Sequence, residues 1–175
     1  MTLPAGDNSN IGQALIKALN GGTGTQLGDW LAATFPNMFG ATGANLAGKS
    51  NAQVAAYFQA LFATRGDKLE AQVLATALSV YVTNSTLAGG TYAAAYGFTM
   101  AAGGAGLATF NVGSDGAAVG QANGTTITIL DILLAADQHA THTTTAAGFT
   151  LYAGNQAMRG LADDLFGRIN DLGGI

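Results

Sequence analysis

Gly43-Ala-Asn-Leu-Ala-Gly48-Lys49-Ser50 spells G-x-x-x-x-G-K-[ST]. At that spacing successive backbone amides and a lysine surround phosphate groups while the hydroxyl reaches magnesium. A helix is expected to follow from Ser50, and Ile127-Thr-Ile129-Leu130-Asp131 loosely imitates the apolar strand whose aspartate holds the metal in such enzymes. The surroundings argue otherwise. A phosphate loop leaves the end of a strand, yet Phe35-Pro36-Asn37-Met38-Phe39 carries a proline and succeeds a helical pattern. Nowhere do strands and helices alternate as a parallel sheet requires. In a chain with 26 glycines the pattern also arises by chance. Lys49 and Ser50 therefore read as a solvated loop and a helix cap, with a phosphate loop at Gly43, Gly48, Lys49 and Ser50 as the alternative.

The two histidines lie together in Asp137-Gln-His139-Ala-Thr-His142. Asp137, His139 and His142 would make a partial metal site or a pH switch. The spacing is not that of a helical H-x-x-x-H pair, and a polar loop with two exposed histidines is the plainer expectation. Asp163 and Asp164 are adjacent and so point to different parts of a helix. With Arg159 and Arg168 four residues away from each in turn, they read as surface ion pairs rather than an acid–base couple. Asn111, Ser114 and Asp115 in FNVGSDG carry calcium-type oxygens but miss the EF-hand spacing, so a locally capped turn is expected. Tyr92, Tyr96, Phe98, Phe110 and Tyr152 fall in the irregular part of the chain. They would form a sugar-stacking or subunit-docking surface, or the core of a small ribbon; Tyr92, Tyr96 and Tyr152 are the candidates for self-association.

Composition narrows the function classes. Only 9% of the 175 residues are charged, against roughly 25% in ordinary domains. Six Lys and Arg at a net charge of −4 leave no field to attract nucleic acid or anionic lipid. A surface so poor in charge must consist largely of Gly, Ala, Thr, Asn and Gln, which pack against another protein at little desolvation cost. The absence of cysteine removes disulfides, thiolate metal sites and thiol nucleophiles. The sequence has no run of about 18 apolar residues, so no membrane span is expected. MTLPAGDNSN has neither the basic nor the apolar region of a secretory signal.

These residues must be positioned by a mainly α fold. Ser50–Asn84 reads as two antiparallel helices. Val54, Tyr57, Phe58, Leu61 and Phe62 form one face, and Leu69, Val73, Ala77 and Val80 another, widened by Leu74, Leu78 and Tyr81. Ser50 with Gln53 and Asp67 with Glu70 are capping boxes, and Gly66 supplies the stop between them. One domain spanning 1–175 is expected: an arm over 1–8, helices over 9–84, a Gly-rich segment over 85–124 and C-terminal helices over 125–175. The whole is a five- to six-helix bundle around the 50–84 hairpin with a small β-containing part at about 88–122. Short helices are expected with Ile11, Leu15, Ile16 and Leu19 inward behind an Asn10 or Ser9 cap, and with Leu27, Trp30, Leu31 and Phe35 inward behind a Thr25 cap and a Pro36 stop. A further helix, capped by Thr128 and Asp131, should bury Ile129, Ile132, Leu133 and Ala136. Residues 139–153 read as a Thr-rich loop. A last helix capped by Asn155 should bury Met158, Leu161, Leu165, Ile169 and Leu172.

The phrases GQALIKALNGG, TQLGDWLAATFPNMFG, NLAGKSNAQVAAYFQ, KLEAQVLATALSVYVTNSTL, FNVGSDGAAVG and YAGNQAMRGLADDLFGRINDLGGI resemble a domain of large secreted, multidomain surface proteins of environmental bacteria. The resemblance runs from about Ile11 to Ile175. It implies an extracellular, modular, surface-associated setting and assigns no reaction. The expected function is a non-enzymatic structural or adhesive building block, without cofactor, that packs as a homo-oligomer or polymer or against sister domains. Nucleotide binding at 43–50, or a glycan- or metal-binding module, are the alternatives.

Overall fold

The computed structural model describes residues 8–40 and 44–172, with the backbone alone described over 8–11. The expected N-terminal arm up to residue 7, Gly43 and the closing Gly-Gly lie outside these residues, and Asn8, expected as the end of the arm, begins the first helix. Among the described residues the fold is mainly helical with two small antiparallel sheets. The helices are α1 (Asn8–Ala18), α2 (Gln26–Thr34), α3 (Pro36–Phe39), α4 (Asn51–Ala63), α5 (Leu69–Thr83), α6 (Ile129–Asp137) and α7 (Gln156–Asp171). The strands are β1 (Thr109–Asn111), β2 (Thr126–Thr128), β3 (Ala140–His142) and β4 (Phe149–Leu151). β1 pairs with β2 and β3 with β4.

The centre is α5. Its sequence carries apolar or small residues all the way round, and eleven of its fifteen residues are buried. α7, α4, α6 and the 3-10 turn Gly104–Leu107 surround it, while α1 packs chiefly on α4. The expected inward residues of α5 are buried in full; those of α4 are not, because Phe62 at the end of its stripe stands 45% exposed. A chain of edge-on aromatic contacts ties α2 and α3 to the second sheet: Trp30–Phe35 at 5.5 Å, Phe35–Phe39 at 6.2 Å and Phe39–Phe149 at 5.5 Å between centroids. Trp30 also meets Tyr81 of α5, with centroids 5.2 Å apart. Three of these phenyl rings are fully buried, so each contributes its transfer free energy of about 2 kcal/mol in addition to the pair geometry.

Helix ends follow local chemistry where both partners sit within one turn. The Gln53 amide donates to Ser50 Oγ and the Ser50 amide to Gln53 Oε1, the complete box. The Asp131 amide donates to Thr128 Oγ1, and the Met158 amide to Asn155 Oδ1. Gly66, at φ +96°, turns the chain between α4 and α5 in a conformation that a side chain would strain. Other ends depart from expectation. Asp67 accepts the Leu69 amide, but Glu70 turns away toward α7, so the second box does not close. Thr25 donates its hydroxyl to Asp29 instead of accepting a helix amide. Phe35, at φ −126°, already breaks α2, and Pro36 then starts α3 at its first position, where a missing N–H costs nothing.

The β structure also falls elsewhere than expected. Residues 88–122 hold three 3-10 turns and β1, whose partner β2 lies beyond that range. Tyr92–Tyr96, inside the part expected to contain β structure, is one of those turns, closed by Gly97 at φ +85°. The Thr-rich stretch expected as a loop contains the β3–β4 hairpin. Threonine is β-branched, and Phe149, Thr150 and Leu151 alternate in, out, in.

Candidate functional site

The glycine–lysine loop is bound up with itself. Gly28 on α2 lets the helix approach: a Cβ there would stand 2.4 Å from the Leu46 carbonyl oxygen and 2.7 Å from that of Lys49. The next residue along α2 is Asp29, whose Oδ1 accepts the Gly48 amide at 2.7 Å. That amide, then the Thr25 hydroxyl, hold the Asp29 carboxyl below the ordinary aspartate range. The Ala47 amide donates to Asn45 Oδ1, Lys49 to the Leu46 carbonyl, and Ser50 to Gln53 Oε1. Four successive amides thus have protein partners, and a carboxylate stands where a phosphate oxygen would need to be. Lys49 borders a shallow groove of about 400 Å³ with Gln53 and Tyr57. The segment before the loop is α3, not a strand. Asp131, the other half of the nucleotide reading, accepts the Thr128 hydroxyl at the start of α6.

The His–Asp cluster comes apart. Asp137 ends α6 and points into the core, 1% exposed. Its Oδ1 accepts the Met38 amide at 2.9 Å and its Oδ2 the Asn37 side-chain amide at 2.9 Å, with the Asn37 backbone amide at 3.4 Å. It is a cap for α3 delivered from another helix, at the end where a carboxylate is favoured. His142 is exposed on β3, opposite Phe149. Among the described residues no group of three or more His, Cys, Asp or Glu side chains is placed to hold a metal ion.

His139 has a different neighbour. Its ring stacks on Tyr152 with centroids 4.8 Å apart and planes 25° from parallel. Tyr152 is buried, and its hydroxyl donates to the Ala118 carbonyl at 2.5 Å. Burial pushes that phenol up to about 12. As a self-association candidate Tyr152 is thereby corrected, since its ring and hydroxyl are committed inside the molecule. Tyr92 and Tyr96 are half-buried against the core and keep one side outward. Phe98 and Phe110 are likewise half-buried against the core.

The expected i, i+4 ion pairs on α7 are replaced by longer connections. Arg159 holds Glu70 through both guanidinium nitrogens at 2.7 Å, Asp67 through Nε at 2.6 Å and the Leu151 carbonyl at 2.9 Å. Glu70 accepts the Leu151 amide in return, at 3.0 Å. These contacts raise the Arg159 pKa further. Burial pushes Asp67 upward, but the Leu69 amide and Arg159 outweigh it and hold the carboxyl low. Asp163, left without its arginine, accepts from Gln72 and is raised by burial and by Asp67 and Asp164. Arg168 reaches Asp115 at 2.5 Å and the Val112 carbonyl at 2.8 Å. Asn111 bonds Gly113, Gly124 and Thr126, so the FNVGSDG oxygens serve a capped turn.

Phe62, Leu107, Leu134 and Leu172 are exposed, Leu107 to 67%. Phe62 and Leu172 were expected inward; Phe62 lies in the last turn of α4 with its ring edge-on to Phe58, and Leu172 follows the last residue of α7. Leu107 ends the 3-10 turn resting on α6, where Leu130 packs beside Gly106 and Leu134 stands one turn further along. Leu107 and Leu134 carried no local signal, since an apolar residue beside a helix stripe looks the same buried or bare. Among the described residues no helix is long and apolar enough to cross a membrane. Comparison with protein-family models, with curated proteins and with solved structures gives no match.

Proposed function

We propose that this chain is a non-enzymatic building block that packs against copies of its own fold, as in a surface layer, fibre or filament. The observation that carries this reading is the pairing of bare leucine and phenylalanine side chains with a surface drawn from a chain of which only 9% is charged. Arg159, Arg168, Asp67, Glu70, Asp115 and Asp137 are engaged inside the molecule. Lys68 donates to the last carbonyls of α4. The remaining exterior loses little hydration when covered. The extracellular setting rests on the resemblance of the sequence phrases to secreted surface proteins. The rival nucleotide reading is weakened by the occupied amides of the loop.

Sedimentation equilibrium over a concentration series tests the proposal. The mass should rise with concentration, and Leu107→Glu with Leu134→Glu should return the chain to monomer while leaving its circular dichroism unchanged. A monomer at every concentration, without filaments in negative stain, would overturn it. ATP–Mg²⁺ should leave the melting temperature unchanged; a shift abolished by Lys49→Ala would favour nucleotide binding instead.

A further inference from the structure

In β4 the side chains alternate, with Phe149 and Leu151 inward and Thr150 outward, so Tyr152 should follow Thr150 toward solvent. It does not. Tyr152 takes φ +52°, a left-handed conformation that costs an aromatic residue about 1–3 kcal/mol, and its ring turns back beneath His139. The hydroxyl bond to Ala118 and an added ladder bond from the Tyr152 amide to the His139 carbonyl at 3.0 Å hold it there. His139, supported from below, is itself exposed and presents its ring to solvent. The pair lies in a groove of about 430 Å³, between β3, the turn after β4 and the start of α7. Gln138, Thr141 and Asn155 bring amide and hydroxyl groups to its wall, Met158 and alanines bring apolar surface, and no lysine, arginine or carboxylate lines it.

We infer that this groove binds a neutral oligosaccharide, with one pyranose ring laid on His139. The apolar C–H face of a sugar, weakly positive, complements the negative face of an aromatic ring. Its hydroxyls match the amide of Gln138, which both donates and accepts, and the side-chain N–H groups of Asn155, whose oxygen caps α7. A phosphate or a carboxylate would find no lysine or arginine here, and a metal ion would find no carboxylate. The strained tyrosine gives the imidazole a rigid support, so little ordering is required when the sugar arrives.

The test is an NMR titration of the whole chain with cellohexaose, maltohexaose and N-acetylchitohexaose, followed through the His139 ring and the Gln138 and Asn155 side-chain amides. At least one of the three should give saturable shifts at these groups. His139→Ala, an exposed substitution, should weaken that binding about tenfold. His139→Phe, which keeps a stacking face, should retain most of it. The inference is overturned if none of the sugars shifts these resonances, if the shifts lie elsewhere, or if His139→Ala binds as well as the original. It stands independently of self-association, because monomeric Leu107→Glu/Leu134→Glu protein should bind the same sugar equally well.

Discussion

Asp137 sits beside two histidines in sequence and shares no site with them; it is turned the other way, onto the N-terminus of α3. Removing the carboxylate leaves two backbone amides and the Asn37 side chain without their acceptor inside the core. Asp137→Ala should therefore lower the unfolding free energy by about 3 kcal/mol, read from urea denaturation. An unchanged midpoint would mean that water or a neighbour replaces the cap. Tyr152 makes a second prediction at this scale. Its phenol titrates at about 12 in the fold, against about 10 in the unfolded chain. The folded state then holds the proton more tightly, so the stabilisation is complete below about pH 10 and lost as the pH rises toward 12. The loss should reach roughly 2–3 kcal/mol and follow tyrosinate absorbance. Tyr152→Phe should make that part of the profile less steep by one proton's share; Tyr57 and Tyr81, whose phenols burial also raises, act in the same direction and keep the rest of the slope.

Arg159 is where elements are joined. It ties α7 to the first turn of α5 and to the edge of β4, and Glu70 returns the bond to the Leu151 amide. Arg159→Lys keeps the charge but not the planar fork. It should cost about 2–4 kcal/mol, and hydrogen exchange should show the Leu151 amide losing protection before the α5 core does. Retained protection at Leu151 would assign the hairpin's stability to Phe149 and its aromatic contacts instead. This element also marks how far the sequence could be read. Caps such as Ser50–Gln53 and Asn155–Met158 were legible because both members lie three residues apart. The stripes of α5 and α6 were legible because burial there is close to complete. The local helix rule paired Arg159 with Asp163, but Glu70 lies 89 positions away and offers two oxygens at once. The β3–β4 hairpin was hidden because its outward threonines look like loop, and the His139–Tyr152 stack because a positive φ at a tyrosine leaves no mark in composition.

For the molecule as a whole, 6 basic and 10 acidic residues have to serve both fold and surface, and the fold takes many of them. Association through Leu107, Leu134 and their neighbours should then be nearly indifferent to sodium chloride and strengthened by sulfate, as apolar burial is. Sedimentation at low and high salt checks this, and dissociation by chloride would point to ionic contacts. The same economy extends to the aromatic residues. The chain has a single tryptophan, and it stands between Phe35 and Tyr81 at the seam of α2 and α5. Its fluorescence is therefore a built-in gauge of that seam, reporting on each variant above whether the helices remain seated, with no dye attached.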